Sequence, residues 1–428
     1  MKSIDRKTAP QAQSVEKIDF LSVSEHKLSN GIPVYLLKAG EQDVVKIDVI
    51  FEAGHWNCKN PLLADFTSRM LMEGSIQYTS AEIAEKFDYL GTFVNFECGK
   101  HFASVQLYCL AQYIEKSLDV FQSYIKFPVF PENEFVIHLK NEEQQYTLAK
   151  QKTEVLALET FYSKVFGQNH PYGLFRKQDD FENLTIEQLK QHHLRYYNPA
   201  NCKIVVSGKL PSAIIEMLNN YLGKNDWQTG EKTDNKKYKL TKAESKKNLI
   251  KKEGAVQASI RLGKSLINKK HPDFQAVSIL NVILGGYYGS RLMTNLRGKN
   301  ALTYGVHSSV VSLLFSGVFS ISANVNMDKV DLAIEQIINE VNILRHELVS
   351  DEELEMVKNY LSGEMLHAFD GALNVSEIYA GLLNYGLDFN YYKEYFQTLK
   401  AIDAETLREL AIKYLDPESF VQVVAGDF

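Results

Sequence analysis

The feature that most constrains this chain is an internal repeat of about 200 residues. The segment Thr185–Leu210 aligns without a gap with the C-terminal segment Asp403–Phe428 after a shift of 218 residues. Identical residues in the two segments include Tyr196 with Tyr414, Pro199 with Pro417, and Gly208 with Gly426. A repeat of this length is much longer than a solenoid unit, so it predicts two similar domains in one chain.

Strand and helix patterns recur at matching places in the two halves. The alternating apolar and polar residues of Ala103–Cys109 predict a half-buried strand, and the same shift places them in phase on Ile321–Met327. The helix-like segment Pro61–Gly74 falls on Pro272–Gly285 after a shift of 211 residues. Because helices cluster after alternating strands, we predict an α+β protein with two homologous domains. Each domain is expected to be a mostly antiparallel sheet with helices packed on one face.

The length of 428 residues exceeds what a single hydrophobic core usually supports. We predict an N-terminal arm at 1–24, a first domain at 25–225, a charged linker at 226–250 and a second domain at 251–428. The linker prediction depends on Asp226–Glu253, which holds nine lysines, five acidic residues and few apolar ones. One strand is expected at its end.

Two kinds of signal predict where helices begin and break. Thr79 with Glu82, and Ser350 with Glu353, have the spacing of capping boxes. The segment Pro131–Phe166 predicts a long helix that is broken.

Composition excludes several classes of function. A net charge of −6 on this length gives no signature of nucleic-acid binding. The four cysteines show no C-x-x-C spacing and are expected to be reduced thiols. The N-terminus has no apolar h-region and no run approaches 18 apolar residues, so we expect no signal peptide and no membrane span. We therefore expect a cytoplasmic protein, with a periplasmic location left open.

The eleven histidines form no obvious zinc motif. His192 and His193 are adjacent, so they face different sides of a helix. His346 and Glu347 begin like H-E-x-x-H, but the second histidine is missing.

The most distinctive stretch is Gly285–Gly305, which reads GGYYGSRLMTNLRGKNALTYG. Arg297 and Tyr304 lie seven residues apart across a predicted turn. Arginine offers a rigid fork of donors and tyrosine offers a hydroxyl on a flat ring, so the pair could hold a peptide carbonyl. Without further information, a surface arginine and a packed strand tyrosine are the simpler interpretation.

Four motifs in order give the chain a resemblance to a known family. They are HPYG at His170–Gly173, YYNPAN at Tyr196–Asn201, HPDF at His271–Phe274, and LGGYYGSRLMTNLRGKNALTYGV at Leu284–Val306. From about Ser24 to its end, the chain resembles the pitrilysin/insulinase-type zinc peptidases with an inverted zinc motif. The similarity is to their small two-domain form, related to mitochondrial processing peptidase.

The resemblance implies a zinc site that this sequence does not keep. Members carry H-x-x-E-H on a helix of the first domain, with a further glutamate downstream as third ligand. Here Asp65 stands at the first histidine, Ser68 at the glutamate and Arg69 at the second histidine, while the third-ligand region falls near Asn141–Glu143. Arginine cannot be a zinc ligand and serine cannot replace a carboxylate as general base. We therefore expect no metal and no catalytic residues in this chain.

The second-domain part of the family pattern is kept. Arg297 and Tyr304 match residues that contact the substrate backbone and help to polarise the scissile carbonyl. The chain thus resembles the non-catalytic subunit of two-chain members, which is inactive alone and works in a peptidase complex. The expected partner chain is a homologous zinc-bearing subunit, with which this chain would form a heterodimer. The expected substrate is a peptide or an unfolded polypeptide.

Three alternatives stay open. The chain could be an inactive peptide-binding or structural scaffold of the same fold, it could form a homodimer when isolated, or it could be a self-sufficient peptidase with a different metal arrangement.

Overall fold

The computed structural model describes residues 15–227 and 247–428, together with residues 230, 232, 236, 238 and 239. Residues 1–14 of the predicted N-terminal arm and most of the predicted charged linker lie outside the described residues. The domain boundaries given above stay predictions.

Six strands of the first half form one sheet. They are β1 Ser24–Lys27, β2 Pro33–Lys38, β3 Val44–Phe51, β4 Phe93–Cys98, β5 Ala103–Leu110 and β6 Cys202–Gly208. Their order across the sheet is β1-β2-β6-β3-β5-β4. The β2 and β6 strands run parallel, and all other neighbours are antiparallel.

Five strands of the second half form the other sheet. They are β7 Lys247–Lys251, β8 Gln257–Leu266, β9 Val306–Leu313, β10 Ser316–Asn326 and β11 Val421–Gly426. Their order is β7-β11-β8-β10-β9, with β7 and β11 parallel and the other neighbours antiparallel. Without β1, the first sheet has the same order and the same directions. The predicted α+β class with two homologous, mostly antiparallel sheets is therefore confirmed.

Fourteen α-helices are found within the described residues. They are α1 Leu63–Met70, α2 Ser80–Leu90, α3 Ile114–Lys126, α4 Glu132–Ala149, α5 Thr153–Phe166, α6 Gln178–Glu182, α7 Ile186–Tyr196, α8 Ile214–Leu222, α9 Phe274–Asn281, α10 Val330–His346, α11 Asp351–Ala368, α12 Ala372–Leu383, α13 Asn390–Ala401 and α14 Ala404–Tyr414. Two π-helical segments, Val282–Gly286 and Met293–Lys299, follow α9. In the part of the chain that the structure describes, no helix combines the length and the apolar character needed to cross a bilayer.

The two predicted capping boxes have different outcomes. Thr79 and Glu82 form the full box, because Thr79 Oγ1 accepts from Glu82 N and Glu82 Oε2 accepts from Thr79 N at 2.8 Å. Ser350 Oγ accepts from Glu353 N at 3.2 Å, but the Glu353 carboxylate binds Arg291 through two hydrogen bonds of 2.9 and 2.6 Å. A bidentate ion pair is stronger than a hydrogen bond to a backbone amide. The predicted return bond from the Glu353 carboxylate to the backbone N–H of Ser350 was therefore wrong.

Each sheet buries one face against helices of its own half. On β3, the odd-numbered apolar residues Val45, Ile47 and Val49 pack in the first core with Phe66 of α1 and Phe121 of α3. The even-numbered side chains of β3 point to the opposite face, because side chains alternate along a strand.

That opposite face is covered by a helix from the other half of the chain. The predicted break in Pro131–Phe166 lies between α4 and α5, and α5 packs on β8 and β11 of the second sheet. Ala157 and Phe161 of α5 are buried with Val318 and Val423. In return, α12 packs on β2 and β6 of the first sheet.

The helices α5 and α12 are repeat equivalents, since a shift of 218 residues places one on the other. Val375 and Leu382 of α12 are buried with Leu37, Ile50 and Val205 of the first sheet. The two halves therefore exchange equivalent helices, and each sheet is closed only when both halves are folded.

We expect Leu382→Ala to lower the free energy of unfolding by roughly 2–5 kcal/mol, because it removes a buried side chain from the contact of α12 with the first sheet. Urea unfolding followed by circular dichroism measures this change. Leu332→Ala is the matched control, since Leu332 on α10 is exposed, and we expect its effect to stay within about 1 kcal/mol. Equal losses in the two variants would contradict the exchanged-helix packing.

Candidate functional site

The three positions predicted to correspond to the inverted zinc motif lie on the short helix α1. Asp65 and Arg69 are one helical turn apart and share a face, whereas Ser68 is only 1% exposed. The helix packs against α7 and β4 of the first half. The side chains of Asp65 and Arg69 are thus accessible to other groups, whereas the side chain of Ser68 is buried.

Arg69 and Asp65 belong to a closed ring of four charges, which we call the arginine ring: Asp65, Arg69, Glu142 and Arg176. Arg69 donates to Glu142 Oε2 at 2.6 Å and to Asp65 Oδ2 at 3.3 Å. Arg176 donates to Asp65 Oδ2 at 3.0 Å and makes a close hydrogen bond to Glu142 Oε1. Two guanidinium groups therefore bridge two carboxylates, and the ring has no net charge.

The two carboxylates of the ring respond differently to their surroundings. Burial alone would raise the pKa of Glu142, but the hydrogen bonds and charges of Arg69 and Arg176 outweigh it and lower that pKa. Burial raises the pKa of Asp65 more than the two arginines lower it, consistent with its longer contacts to them. Glu142 is therefore the anion that binds the two guanidinium groups most strongly.

These residues do not fit a zinc ion. Zinc in peptidases is bound by three protein ligands such as His₂Glu, with a fourth position for water. Here two cations already neutralise the carboxylates, and neither guanidinium can lose its proton to become a ligand. Both carboxylates of the arginine ring are therefore already bound by guanidinium groups.

A second set of possible metal ligands lies beside the ring. Potential ligand atoms of His55, Asp65 and Cys98 all lie within 4.8 Å of one another. Burial raises the pKa of the Cys98 thiol well above its usual range, and Asp65 is already shared by two arginines. Burial together with Lys100 and Arg176 lowers the pKa of His55 to about 3, so the imidazole stays neutral beside two cationic groups. Sequence reasoning missed this set, because the three residues lie far apart along the chain.

Arg297 and Tyr304 lie in a separate part of the described chain, and no hydrogen bond or ion pair there joins them to the arginine ring. Arg297 is on the second π-helical segment and Tyr304 lies two residues before the first residue of β9. Both are exposed, Tyr304 at 88% of its surface. The Arg297 guanidinium lies 5.3 Å from the ring centroid of Tyr288, which is also exposed.

The backbone between Arg297 and Tyr304 is firmly anchored. Asn300 donates to Asn295 Oδ1 at 2.6 Å, and Asn295 donates to Glu340 at 2.6 Å. Thr303 Oγ1 donates to the carbonyl of Asn324 on β10 at 2.6 Å. Ala301 is held at φ 47°, a left-handed conformation that a residue with a Cβ adopts at a cost. The loop therefore presents two exposed side chains from a fixed backbone.

The basic residue at the start of this stretch has a different role. Arg291 binds Glu353 of α11 through two hydrogen bonds and is largely buried, so it connects the stretch to its own half. His192 and His193 also prove to be structural, because their Nε2 atoms lie 3.1 and 2.8 Å from the backbone carbonyls of Ala53 and Ile125.

We expect Glu142→Gln to lower the free energy of unfolding at pH 7 by about 1–3 kcal/mol, because two partly buried guanidinium groups lose their shared anion. The lowered pKa of Glu142 means that this contribution is present above the usual pKa of 4.5 and is lost as the pH falls through the lower folded-state pKa. The difference between Glu142→Gln and wild type should therefore shrink in urea titrations below that pH. Glu85→Gln, at an exposed position of α2, is the control, and an equal effect there would contradict the ring's role.

Comparison with known proteins places these features in a family. The profile described as insulinase (peptidase family M16) matches residues 34–176, and the profile described as peptidase M16 inactive domain matches residues 183–361. The chain is 26% identical over 358 residues to an uncharacterized zinc protease of Rickettsia felis, covering 82% of this chain and 85% of that protein. It is 22% identical over 359 residues to a protein of Helicobacter pylori named a non-peptidase homolog, covering 78% of this chain and 81% of that protein.

The fold agrees with a solved structure of the same family. The crystal structure of a peptidase M16 inactive domain from Pseudomonas fluorescens superimposes with a TM-score of 0.87 at 24% identity, covering 95% of this chain and 99% of that one. Relatives of this chain are thus named both as zinc proteases and as inactive homologues. With two sheets of the same order, exchanged helices and both profiles in sequence, the chain belongs to the insulinase (M16) family of peptidases.

Proposed function

We propose that this chain is the non-catalytic subunit of a heteromeric zinc metallopeptidase. A homologous partner chain would hold the zinc, and this chain would contribute contacts to the peptide substrate. The observation that carries the proposal is the contrast between its two sites. Asp65 and Arg69 at the predicted zinc positions are bound within the arginine ring, whereas Arg297 and Tyr304 are exposed on an anchored loop.

The chemistry expected of the exposed pair is binding and charge stabilisation. The Arg297 guanidinium and the Tyr304 hydroxyl can donate to a peptide carbonyl, and the same donors would favour the negative charge that develops on its oxygen. Zinc in the partner would supply the activated water. Donors held by a fixed backbone need little reorganisation, which is what makes such stabilisation effective.

An extended peptide or unfolded polypeptide also needs a surface on which to lie. The first sheet ends in the edge strand β4 and the second in the edge strand β9, and each offers unpaired backbone groups. Addition of a strand to an edge is a common mode of peptide binding. Phe93 of β4 is exposed and could contact side chains of such a peptide.

The second candidate is an inactive scaffold or peptide-holding protein of the same fold. Its support is the closed arginine ring, which makes the former metal position a stabilising contact, and the existence of a relative named a non-peptidase homolog. A cytoplasmic location remains a prediction under both candidates.

The deciding experiment is purification of the chain from its native cell, followed by identification of the bound protein and a peptide-cleavage assay of the pair. A homologous partner with an intact H-x-x-E-H, and cleavage only by the pair, would support the proposal. A pair without proteolytic activity would favour the scaffold, and cleavage by the isolated chain would contradict both.

In the active pair, we expect Arg297→Ala and Tyr304→Phe to lower kcat/KM by about 10- to 1,000-fold, because each removes a donor to the reacting carbonyl. The zinc content of the complex, measured by atomic absorption, should stay unchanged. Arg195→Ala and Tyr89→Phe are matched controls, since Arg195 is exposed and lies 5.4 Å from the Tyr196 ring, as Arg297 does from Tyr288, and Tyr89 is as exposed as Tyr304. Unchanged turnover in both test variants would contradict a role of Arg297 and Tyr304 in the reaction.

A further inference from the structure

A cavity of about 400 Å³ lies between the first sheet and the exchanged helix α12. Three carboxylates line it, from Asp48 of β3, Glu97 of β4 and Glu377 of α12, together with the ammonium group of Lys100. It is separate from the arginine ring and from Arg297 and Tyr304, none of which lines it. Its lining therefore carries more negative than positive charge.

Two residues that line this cavity each have a buried acceptor atom without a hydrogen-bond partner among the described residues. Asp48 is 4% exposed, and its Oδ1 atom is buried and unpaired. Oδ1 of Asn384, which lines the opposite wall, is also buried and unpaired. A buried polar atom without a partner costs about 1–3 kcal/mol, and more when it is charged. Both atoms are acceptors, so each could accept a hydrogen bond from a donor group of a ligand.

The neighbouring lysines are engaged elsewhere. Lys46 donates to Glu377 Oε1 at 2.8 Å, and Lys100 donates to the carbonyl oxygen of Pro171 at 2.9 Å. The Lys203 ammonium lies 4.7 Å from the ring centroid of Phe102. Asp48 therefore has cations in its surroundings, but it forms no hydrogen bond with any of them.

The second half of the chain provides an internal comparison. Asp48 lies opposite Gln106 in the first sheet, and the repeat places Ser259 opposite Asn324 at the equivalent position of the second sheet. Ser259 donates to Asn324 Oδ1 at 2.7 Å, so the equivalent pair is satisfied.

The exchanged helix explains why that pair is satisfied. Thr153 of α5 bonds to Ser259 at 2.9 Å, and Glu154 accepts from Asn324 at 2.6 Å. The repeat equivalents of Thr153 and Glu154 are Gly371 and Ala372, which have no polar side chain. The first half thus keeps a polar sheet face but lacks the helix side chains that satisfy it in the second.

We propose that the cavity binds a small organic cation whose ammonium or guanidinium group donates to Asp48 Oδ1 and Asn384 Oδ1. Its volume is within the range of small-molecule sites, and Ile50, Phe102 and Leu313 provide apolar walls for an alkyl chain. The cation could be a free amine or guanidine, or the side chain of a lysine or arginine in a peptide. The site does not depend on the peptidase role proposed above.

The charge of Asp48 makes binding depend on pH. Burial raises the pKa of Asp48 to about 7, with Glu97 and Glu377 adding to the rise and Lys46 and Lys203 opposing it. Lys100 and His101 also line the cavity, and burial lowers the pKa of His101 to about 4, so His101 stays neutral near pH 7. A cation binds the ionised form of Asp48, so its affinity should rise as the pH rises through about 7.

Two probes of equal shape test the site in the full-length protein. Butylguanidinium carries the proposed charge, whereas butylurea is its uncharged counterpart. By titration calorimetry, we expect butylguanidinium to bind at least tenfold more tightly than butylurea at pH 8, and to lose at least tenfold in affinity at pH 5.5. Absence of binding, or equal binding of the two probes, would overturn the proposal.

Two variants test the residues. Asp48→Asn keeps the shape of the side chain and should lower the affinity for butylguanidinium at least tenfold. It should also weaken the pH dependence between pH 5.5 and pH 8, although Lys100, whose pKa burial lowers to about 8, still titrates beside the cavity. Gly381→Leu should block binding by filling the cavity, because a Cβ at Gly381 meets no atom within 4 Å and the fold should tolerate it. Asp88→Asn, at an exposed position on α2, should bind like wild type. Wild-type affinity in Asp48→Asn or in Gly381→Leu would overturn the site.

A blocked arginine, N-acetylarginine methylamide, separates the two sources of the cation. Binding with the same dependence on Asp48 would support a site that accepts a peptide side chain. Exclusion of this probe, with butylguanidinium still bound, would support a site for a free small cation.

Discussion

The exchange of α5 and α12 is the contact on which the rest of the structure depends. Each sheet has one face covered by helices of its own half, and the other face needs a helix that arrives from the other half. Phe161 and Val375 are therefore core residues of sheets to which their own sequence segments do not belong. Two domains joined only by a linker could move independently, whereas two domains that complete each other's cores are held in a fixed relation.

The two predicted sites differ in how their polar groups are satisfied. In the arginine ring, two guanidinium groups and two carboxylates pair with one another, and their charges cancel. The loop before β9 does the opposite, because its polar anchors satisfy the backbone and leave the Tyr304 ring in solvent. The predicted zinc positions Asp65 and Arg69 thus belong to a charge network, while Arg297 and Tyr304 stay exposed and Arg297 lies 5.3 Å from the Tyr288 ring centroid.

Much of the fold could be predicted from the sequence, because the strand and helix patterns of one repeat could be compared with those of the other. The in-phase patterns of Ala103–Cys109 and Ile321–Met327 predicted the strands β5 and β10, although β10 ends at Asn326, and the cap at Thr79 predicted the start of α2. The sheet on which α5 packs could not be predicted. A shift of 218 residues relates α5 to α12, but it does not indicate which sheet either helix covers. The arginine ring was similarly out of reach: Arg69 could be excluded as a ligand by its chemistry, but its contact with Arg176 and Glu142 depends on tertiary structure.

The repeat also shows where the two halves have diverged for reasons other than folding. On the face of the second sheet that lies under the exchanged helix, hydrogen bonds connect Thr153 to Ser259 and Ser259 to Asn324. Folding alone would favour the same solution in the first half, or an apolar residue in place of Asp48, since a buried unpaired carboxylate destabilises the protein. The unpaired Asp48 is unfavourable for the free protein, whereas its repeat equivalent Ser259 is hydrogen-bonded. A ligand that pairs with Asp48 explains this difference better than packing does. The same reasoning applies to Ala301, whose left-handed backbone lies between Arg297 and Tyr304. In both places, a local cost to stability coincides with groups that are available to bind another molecule.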